Sequence, residues 1–319
     1  MNINNCLITD TLTIQSTTLE NRKGYDKMDS YINQEICSRC KLCIEVCPCN
    51  ILGTNESEEV CFIPERKSIC LNCGQCMAIC SSKAINVIGL SYANNFIDLP
   101  ENNTDYNKFI DFLANRRSVR NFKDQPIPNE IINKILDSIS YAPFGAEPNK
   151  MNITVVNDRK KIESALPHIE KFLENVVKWI ENPISSYMIK RRNGPEKFYT
   201  VKNHLYPMAK LGNYKLEFGD RITRNAPALL IFHANRKAEE RTNNSLIYAT
   251  YVMLAAHSLG LGATMIGVLP PALNKLKEVR NIFQIPTENE AIMSVIIGYP
   301  KYKYQRTIKR KNKNVRWIE

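Results

Sequence analysis

Beyond residue 107 the apolar positions of the chain recur with two periods. Phe109, Ile110, Phe112 and Leu113 repeat at helical spacing, as do Ile131, Ile132, Ile135, Leu136 and Ile139. The second of these helices starts near Pro128-Asn129-Glu130. It must end before Pro143, because proline lacks the donor a helix needs and restricts the residue before it. Three largely apolar stretches, Met151–Val156, Ala228–Ala234 and Ala291–Gly298, predict buried strands. Helices are expected between them, notably over Ser245–Leu259 and Ala272–Phe283. The segment "GLGATMIG" (260–267) has glycines suited to a close backbone approach, but not the spacing of a dinucleotide-binding turn. This loose alternation predicts an α+β domain over 108–319 rather than a doubly wound one.

Residues 93–107 are polar and read as a linker. Residues 1–27 have neither the basic nor the apolar region of a secretory signal, and they are expected to form a poorly ordered leader. No Asp, Glu, Lys or Arg occurs between Arg241 and Lys275, a run long enough to raise a membrane span. His257, several hydroxyl residues and the break at Gly260–Gly262 argue instead for a buried helix. No membrane partner is expected.

Charge separates the two halves. Residues 1–92 carry 8 Lys and Arg against 10 Asp and Glu, whereas residues 93–319 carry 35 against 22. Such a basic half calls for anionic company. Part of the excess lies in "RRSVRNF" (116–122), whose arginine forks and hydroxyl suit a phosphate. A solvated helix end offsetting the C-terminal dipole would use the same residues. The tail from Lys301 carries eight basic residues and one acidic, as a nucleic-acid arm would. Its tyrosines, tryptophan and isoleucines favour a segment that packs onto protein.

Eleven cysteines are the compositional anomaly, and eight fall in two runs. One reads Cys37-x2-Cys40-x2-Cys43-x3-Cys47-Pro; the other reads Cys70-x2-Cys73-x2-Cys76-x3-Cys80. Clustered thiolates suit a reducing, cytoplasmic compartment better than a secreted disulfide framework. This spacing resembles that of two-cluster bacterial ferredoxins over residues 28–92, in which the fourth cysteine of each run ligates the other cluster. The resemblance implies one [4Fe–4S] cluster on Cys37, Cys40, Cys43 and Cys80, and a second on Cys70, Cys73, Cys76 and Cys47. Zinc also accepts paired Cys-x2-Cys, but it has no use for the extra cysteine given twice. Ser81 stands where proline follows the fourth cysteine in the first run, a change expected to alter solvent access. Cys6, Cys49 and Cys61 lie outside the pattern and read as bystanders.

Six segments in order give the basic domain a family resemblance: "RRSVRNF", "YAPFGAEPNKMNITVV", "NAPALLIF", "LAAHSLGLGATMIG", "IPTENEAIMSVIIGYP" and a final "KRK". Together they resemble nitroreductase-family flavoenzymes over about residues 108–319, and the whole chain resembles a ferredoxin-fused branch of that family. The resemblance implies an α+β fold with a mainly antiparallel central sheet, binding FMN at the interface of an intertwined homodimer. By position it gives Arg116, Arg117 and Ser118 to the FMN phosphate and Arg120 to the ring or ribityl chain. Lys309 and Arg310 would close on the phosphate. Pro143, Phe144 and Gly145 would line the ring from the partner subunit, and the Ile266–Gly267–Val268 turn would offer an N–H to flavin N5. There is one departure: Phe144, Glu147 and Asn149 stand where many relatives have a small hydroxyl residue, Asn and Gln. The substrate side of the ring is therefore expected to differ.

Two readings of function follow. In the first, electrons from reduced ferredoxin or NAD(P)H pass through the clusters to FMN and reduce a small organic acceptor: a nitro compound, quinone or activated olefin. In the second, the clusters serve a redox-responsive binding protein without turnover. The basic residues fall on the phosphate-gripping positions, which favours the enzyme and disfavours nucleic acid as a partner. The histidines show no metal spacing, and His257 reads as a satisfied core residue. Trp179, Phe198, Tyr199 and Tyr206 are candidates for a substrate-pocket floor or for core packing.

Overall fold

The computed structural model describes residues 29–101, 103–145, 150–310 and 314–319. The expected leader, Cys6, Glu147 and Asn149 lie outside the described residues. The chain forms two compact units, Met1–Asn103 and Thr104–Glu319.

The first unit is built twice over. Strand β1 (Tyr31–Ile32) leads into the first cysteine run, which turns into helix α1 (Leu42–Glu45). Strands β2 (Leu52–Thr54) and β3 (Val60–Phe62) form an antiparallel hairpin. A 3-10 segment then leads to the second run and helix α2 (Gln75–Ile79), and strand β4 (Ile85–Asn86) returns to pair with β1. Left-handed residues recur at matching places: Arg39, Lys41 and Asn50 in the first half, Asn72, Gly74 and Lys83 in the second. Only Gly74 takes this conformation without a Cβ penalty. Its φ is +73°, and Phe96 lies close over its Cα. Phe96 follows a short helix α3 (Tyr92–Asn95), so the expected linker is partly helical and its start belongs to this unit.

The second unit opens with α4 (Tyr106–Asn115), capped by the Asp105 carboxylate accepting from the Lys108 N–H. Helix α5 (Asn129–Asp137) follows, and a 3-10 turn ends it before Pro143. Strand β5 (Met151–Val156) precedes α6 (Arg159–Glu181), α7 (Pro183–Asn193), α8 (Pro195–Thr200), a π-helical turn and α9 (Tyr206–Lys210). Then come β6 (Ala228–Asn235), α10 (Arg241–Ser258), β7 (Gly262–Met265), α11 (Leu269–Lys275), α12 (Lys277–Ile282) and β8 (Asn289–Gly298).

The sheet is antiparallel throughout, in the order β5-β6-β8-β7. Successive side chains of β6 face opposite layers, as strand geometry requires. Leu229 and Ile231 pack with Ile162, Ile169 and Leu173 of α6. Leu230 and Phe232 pack with Ile132 and Ile135 of α5 and with Val252 of α10. Both faces are covered, which explains the largely apolar stretch; each fully buried large side chain contributes about 1.5–3 kcal/mol. Among the described residues no helix is long and apolar enough to cross a membrane.

Two local expectations need correction. The helix expected over Ala272–Phe283 breaks at Leu276, which is extended. There the Arg280 guanidinium donates to the Leu273 carbonyl, and Asn274 pairs with both backbone groups of Ala291 on β8. These side chains replace helical bonds and steer the chain along the sheet. The arginine segment starts at the C-cap of α4, Arg116, whose N–H donates to Leu113 O, but it does not continue as a solvated helix end: the Val119 N–H donates to Ala263 O, and Phe122 bridges Pro300.

Candidate functional site

The cysteine runs meet in crossed sets. Cys37, Cys40, Cys43 and Cys80 line one small cavity, and Cys47, Cys70, Cys73 and Cys76 line another. Cys49, set aside on sequence spacing, also lines the second cavity. The crossing arises because each run turns into its short helix, which carries the fourth cysteine away from the first three.

Backbone donors face these sulfurs. The Ile51 N–H approaches Cys47 Sγ at 3.5 Å, and the equivalent Ala84 N–H approaches Cys80 Sγ at 3.3 Å. The Leu42 N–H holds the Cys40 thiol below its ordinary pKa. Burial, reinforced by the neighbouring cysteines, pushes Cys43 up to about 11, and burial pushes Cys76 up to about 11. Among the described residues no three Cys, His, Asp or Glu side chains converge as ligands of one ion. The four sulfurs of each set are the residues of this unit that could hold a metal centre.

In the second unit the arginine segment lies against β7. Ser118 bridges Ala263, and the approach is close: a Cβ on Gly262 would stand 2.5–2.7 Å from three Val119 side-chain atoms. On the paired residue, Gly298, a Cβ would stand 2.7 Å from Phe122 and Pro227. These two glycines let the segment nest on the end of the sheet. Arg116, Arg117 and Ser118 are half-buried and Arg120 is exposed; among the described residues none of the three arginines forms an ion pair. Arg120 donates to the Ser118 carbonyl at 3.3 Å. Arg117 donates to the Arg306 carbonyl and lies over the Tyr304 ring, which brings the tail to the arginines. Lys309 and Arg310 follow Arg306 within about 14 Å of chain and are exposed.

Strand β7 runs directly into Ile266–Gly267–Val268. Ser294 of β8 holds this turn twice: its carbonyl accepts from the Ile266 N–H at 2.9 Å, and its hydroxyl donates to the Ile266 carbonyl at 2.7 Å. Gly267 is exposed, and a Cβ there would meet nothing within 4 Å. Nothing among its described neighbours requires glycine at this position, whereas a ligand pressed against the backbone would. Sequence spacing did not single out Ser294, because it sits within a strand whose pattern already reads as core.

Pro143, Phe144 and Gly145 lie elsewhere. The Gly145 N–H donates to Asn244 Oδ1 at 2.8 Å, near the start of α10. The arginine segment is at the other end of that helix, where Phe112 of α4 meets the His257 ring at a centroid distance of 5.0 Å. The stretch of α10 between Asn244 and His257 is roughly 20 Å long at the helical rise. One chain thus brings the arginines and the tail together, sets the glycine turn just past the far end of the same short strand β7, and leaves the Pro143–Gly145 loop at a distance from the arginines. His257 is held by the Phe112 carbonyl, and burial pushes its pKa down, in keeping with a core histidine.

A cavity of about 1670 Å³ opens beside Gly267 and Val268. Trp179 and Phe198 line it, whereas Tyr206 is tied to Glu181 at 3.1 Å. The tail, expected to pack onto protein, stays exposed beyond its contact with Arg117: Trp317 and Ile318 are 83% and 86% exposed.

Comparison with known proteins fits this geometry. A family model described as "Nitroreductase family" matches residues 113–299, and residues 1–112 lie outside it. A protein of Methanothermobacter thermautotrophicus, provisionally named NADH dehydrogenase/NAD(P)H nitroreductase, is 22% identical over 195 residues, 60% of this chain and 76% of its own. One of the same name from Archaeoglobus fulgidus is 25% identical over 198 residues, 60% of this chain and 85% of its own. Among solved structures, a nitroreductase with bound FMN from Bacteroides fragilis aligns at 19% identity and a TM-score of 0.49, covering 68% of this chain and all of its own.

Proposed function

Because the chain belongs to the nitroreductase family, we propose that it is an FMN-dependent oxidoreductase fed through two [4Fe–4S] clusters. Its acceptor is a small organic molecule: a nitro compound, quinone or activated olefin. When bound, the clusters carry single electrons and the flavin handles pairs. The observation that carries this reading is the double cysteine cage in a chain whose second unit is a nitroreductase domain.

Each group has its residues. Cys37, Cys40, Cys43 and Cys80 would hold one cluster, and Cys70, Cys73, Cys76 and Cys47 the other. Arg116, Arg117 and Ser118 would grip the FMN phosphate by charge-assisted bonds, and Lys309 and Arg310 would close over it from the tail. Arg120 would reach toward the ring or ribityl chain. Ile266, Gly267 and Val268 would offer a backbone N–H to the ring, with Ser294 fixing that turn. Pro143, Phe144 and Gly145 would come from a second copy. The length of α10 between this loop and the arginines supports a homodimer, since one chain leaves the two parts separated.

Anaerobically purified protein tests the assignment. It should show flavin bands over broad iron–sulfur absorption and about eight irons per chain; a colourless protein would overturn it. Reduced ferredoxin is expected to reduce the flavin faster than NAD(P)H does. The names of the archaeal relatives favour NAD(P)H as a second donor. Running both donors against one acceptor panel separates the two.

A further inference from the structure

The cavity beside Gly267 and Val268 has a wall and a rim of different character. Its wall is apolar, formed by Phe172, Val176 and Ile180 of α6 and Phe198 of α8. Its rim is basic. Arg191 and Arg192 come from the last turn of α7, Lys197 from α8, Arg236 from just past β6 and Lys275 from the end of α11. Two carboxylates oppose them: Glu196, and Glu290, which already pairs with Arg241 at 3.4 Å. None of the five rim cations forms an ion pair among the described residues. Four separate elements deliver them to one opening, whereas a cation on an ordinary solvated face points into bulk water. None of the arginines assigned to the flavin phosphate lines this space.

We propose that this cavity is the acceptor site, and that the acceptor is a bulky aromatic molecule bearing a carboxylate, sulfonate or phosphate. The aromatic body lies on the apolar wall, where burial drives binding. The anionic group meets the rim, where five exposed cations converge on one opening and attract it together. The volume exceeds the range usual for drug-sized ligands, so a single ring would leave it partly empty. The inference rests on the flavin-dependent reading above, and it adds the class of substrate to that reading.

The test uses the full-length flavin-loaded protein and a ligand pair that flavin cannot reduce, 2-naphthoate and its neutral isostere 2-naphthamide. Calorimetry should show naphthoate binding about tenfold more tightly at low salt, with the preference shrinking as ionic strength rises. The double variant Arg236→Met/Lys275→Met should bring the ratio close to one, and each single Gln variant should lower it partway. Steady-state kcat/KM for 4-nitrobenzoate against 4-nitrobenzamide should follow the same order. Equal binding of the two naphthalenes in the native protein would overturn the proposal. So would a preference that survives high salt and both substitutions. Competition between naphthoate and FMN for the apoprotein would also overturn it, by putting the flavin itself in the cavity. Failure of the parent reading is distinguishable, because it appears as pure protein without flavin, whichever way the naphthoate titration falls.

Discussion

At Gly262 two backbones approach so closely that one methyl group decides whether they fit. A Cβ there would sit inside contact distance of Val119, next to the arginines assigned to the FMN phosphate. Gly262→Ala should therefore push the 116–120 segment off β7, destabilise the domain by about 1–3 kcal/mol and weaken FMN binding by at least about tenfold. Adding Val119→Ala should restore much of both losses, as read by urea midpoint and FMN titration. His233 gives a prediction of another kind. It is buried, its ring nitrogens meet Thr154 Oγ1 at 3.0 Å and Asn289 Nδ2 at 2.8 Å, and burial, then the Arg280 guanidinium, push its pKa down. The unfolded chain binds a proton there before the folded one does. Its stabilising contribution is thus present above the ordinary histidine pKa and is lost as pH falls below about 6.5, by at most about 1.4 kcal/mol per pH unit. Chemical denaturation between pH 7.5 and 5 should show this decline, and His233→Gln should flatten it.

Among the elements, those with long and regular patterns were legible in sequence. Strands β6 and β8 and helix α5 fall where the apolar runs put them, because a period of two or a continuous run leaves few other ways to bury those residues; β5 also falls where expected, but as an edge strand it buries only Val156 rather than its whole length. Strand β7 escaped notice: it has four residues, and its glycine weakens the strand signal that its place in the sheet overrides. The break at Leu276 was equally hidden, since it depends on Arg280 and Asn274 reaching partners outside their own helices. The crossed grouping of eight cysteines was legible through the resemblance to two-cluster ferredoxins, and the same fours line the two cavities. Cys49 was not legible, because membership of the second cavity depends on how the chain turns after Pro48. If the crossed sets hold the clusters, Cys47→Ala should disturb the cluster of Cys70, Cys73 and Cys76 and leave the other intact. Cys49→Ser should leave about eight irons in place. Iron analysis with electron paramagnetic resonance reads both.

At the scale of the whole molecule, the proposed function divides the chemistry between two units: the sulfurs of the first would hold single-electron carriers, and the cations and glycine turn of the second would hold a flavin. On the proposed reading, the Pro143–Gly145 loop completes the flavin site of a second copy and the tail closes over the phosphate. Sedimentation at micromolar concentration should accordingly give a dimer, and truncation after Tyr299 should lower FMN affinity together with dimer stability. The central claim is that electrons reach the flavin through the cysteine unit. Anaerobic stopped-flow reduction of the FMN by reduced ferredoxin tests it most directly, comparing the native protein with Cys40→Ala/Cys73→Ala, which loses one ligand from each cage. The flavin band should bleach rapidly in the native protein, and that phase should be almost lost in a variant that still binds FMN. Equal rates in the two proteins would mean that electrons reach the flavin by another route.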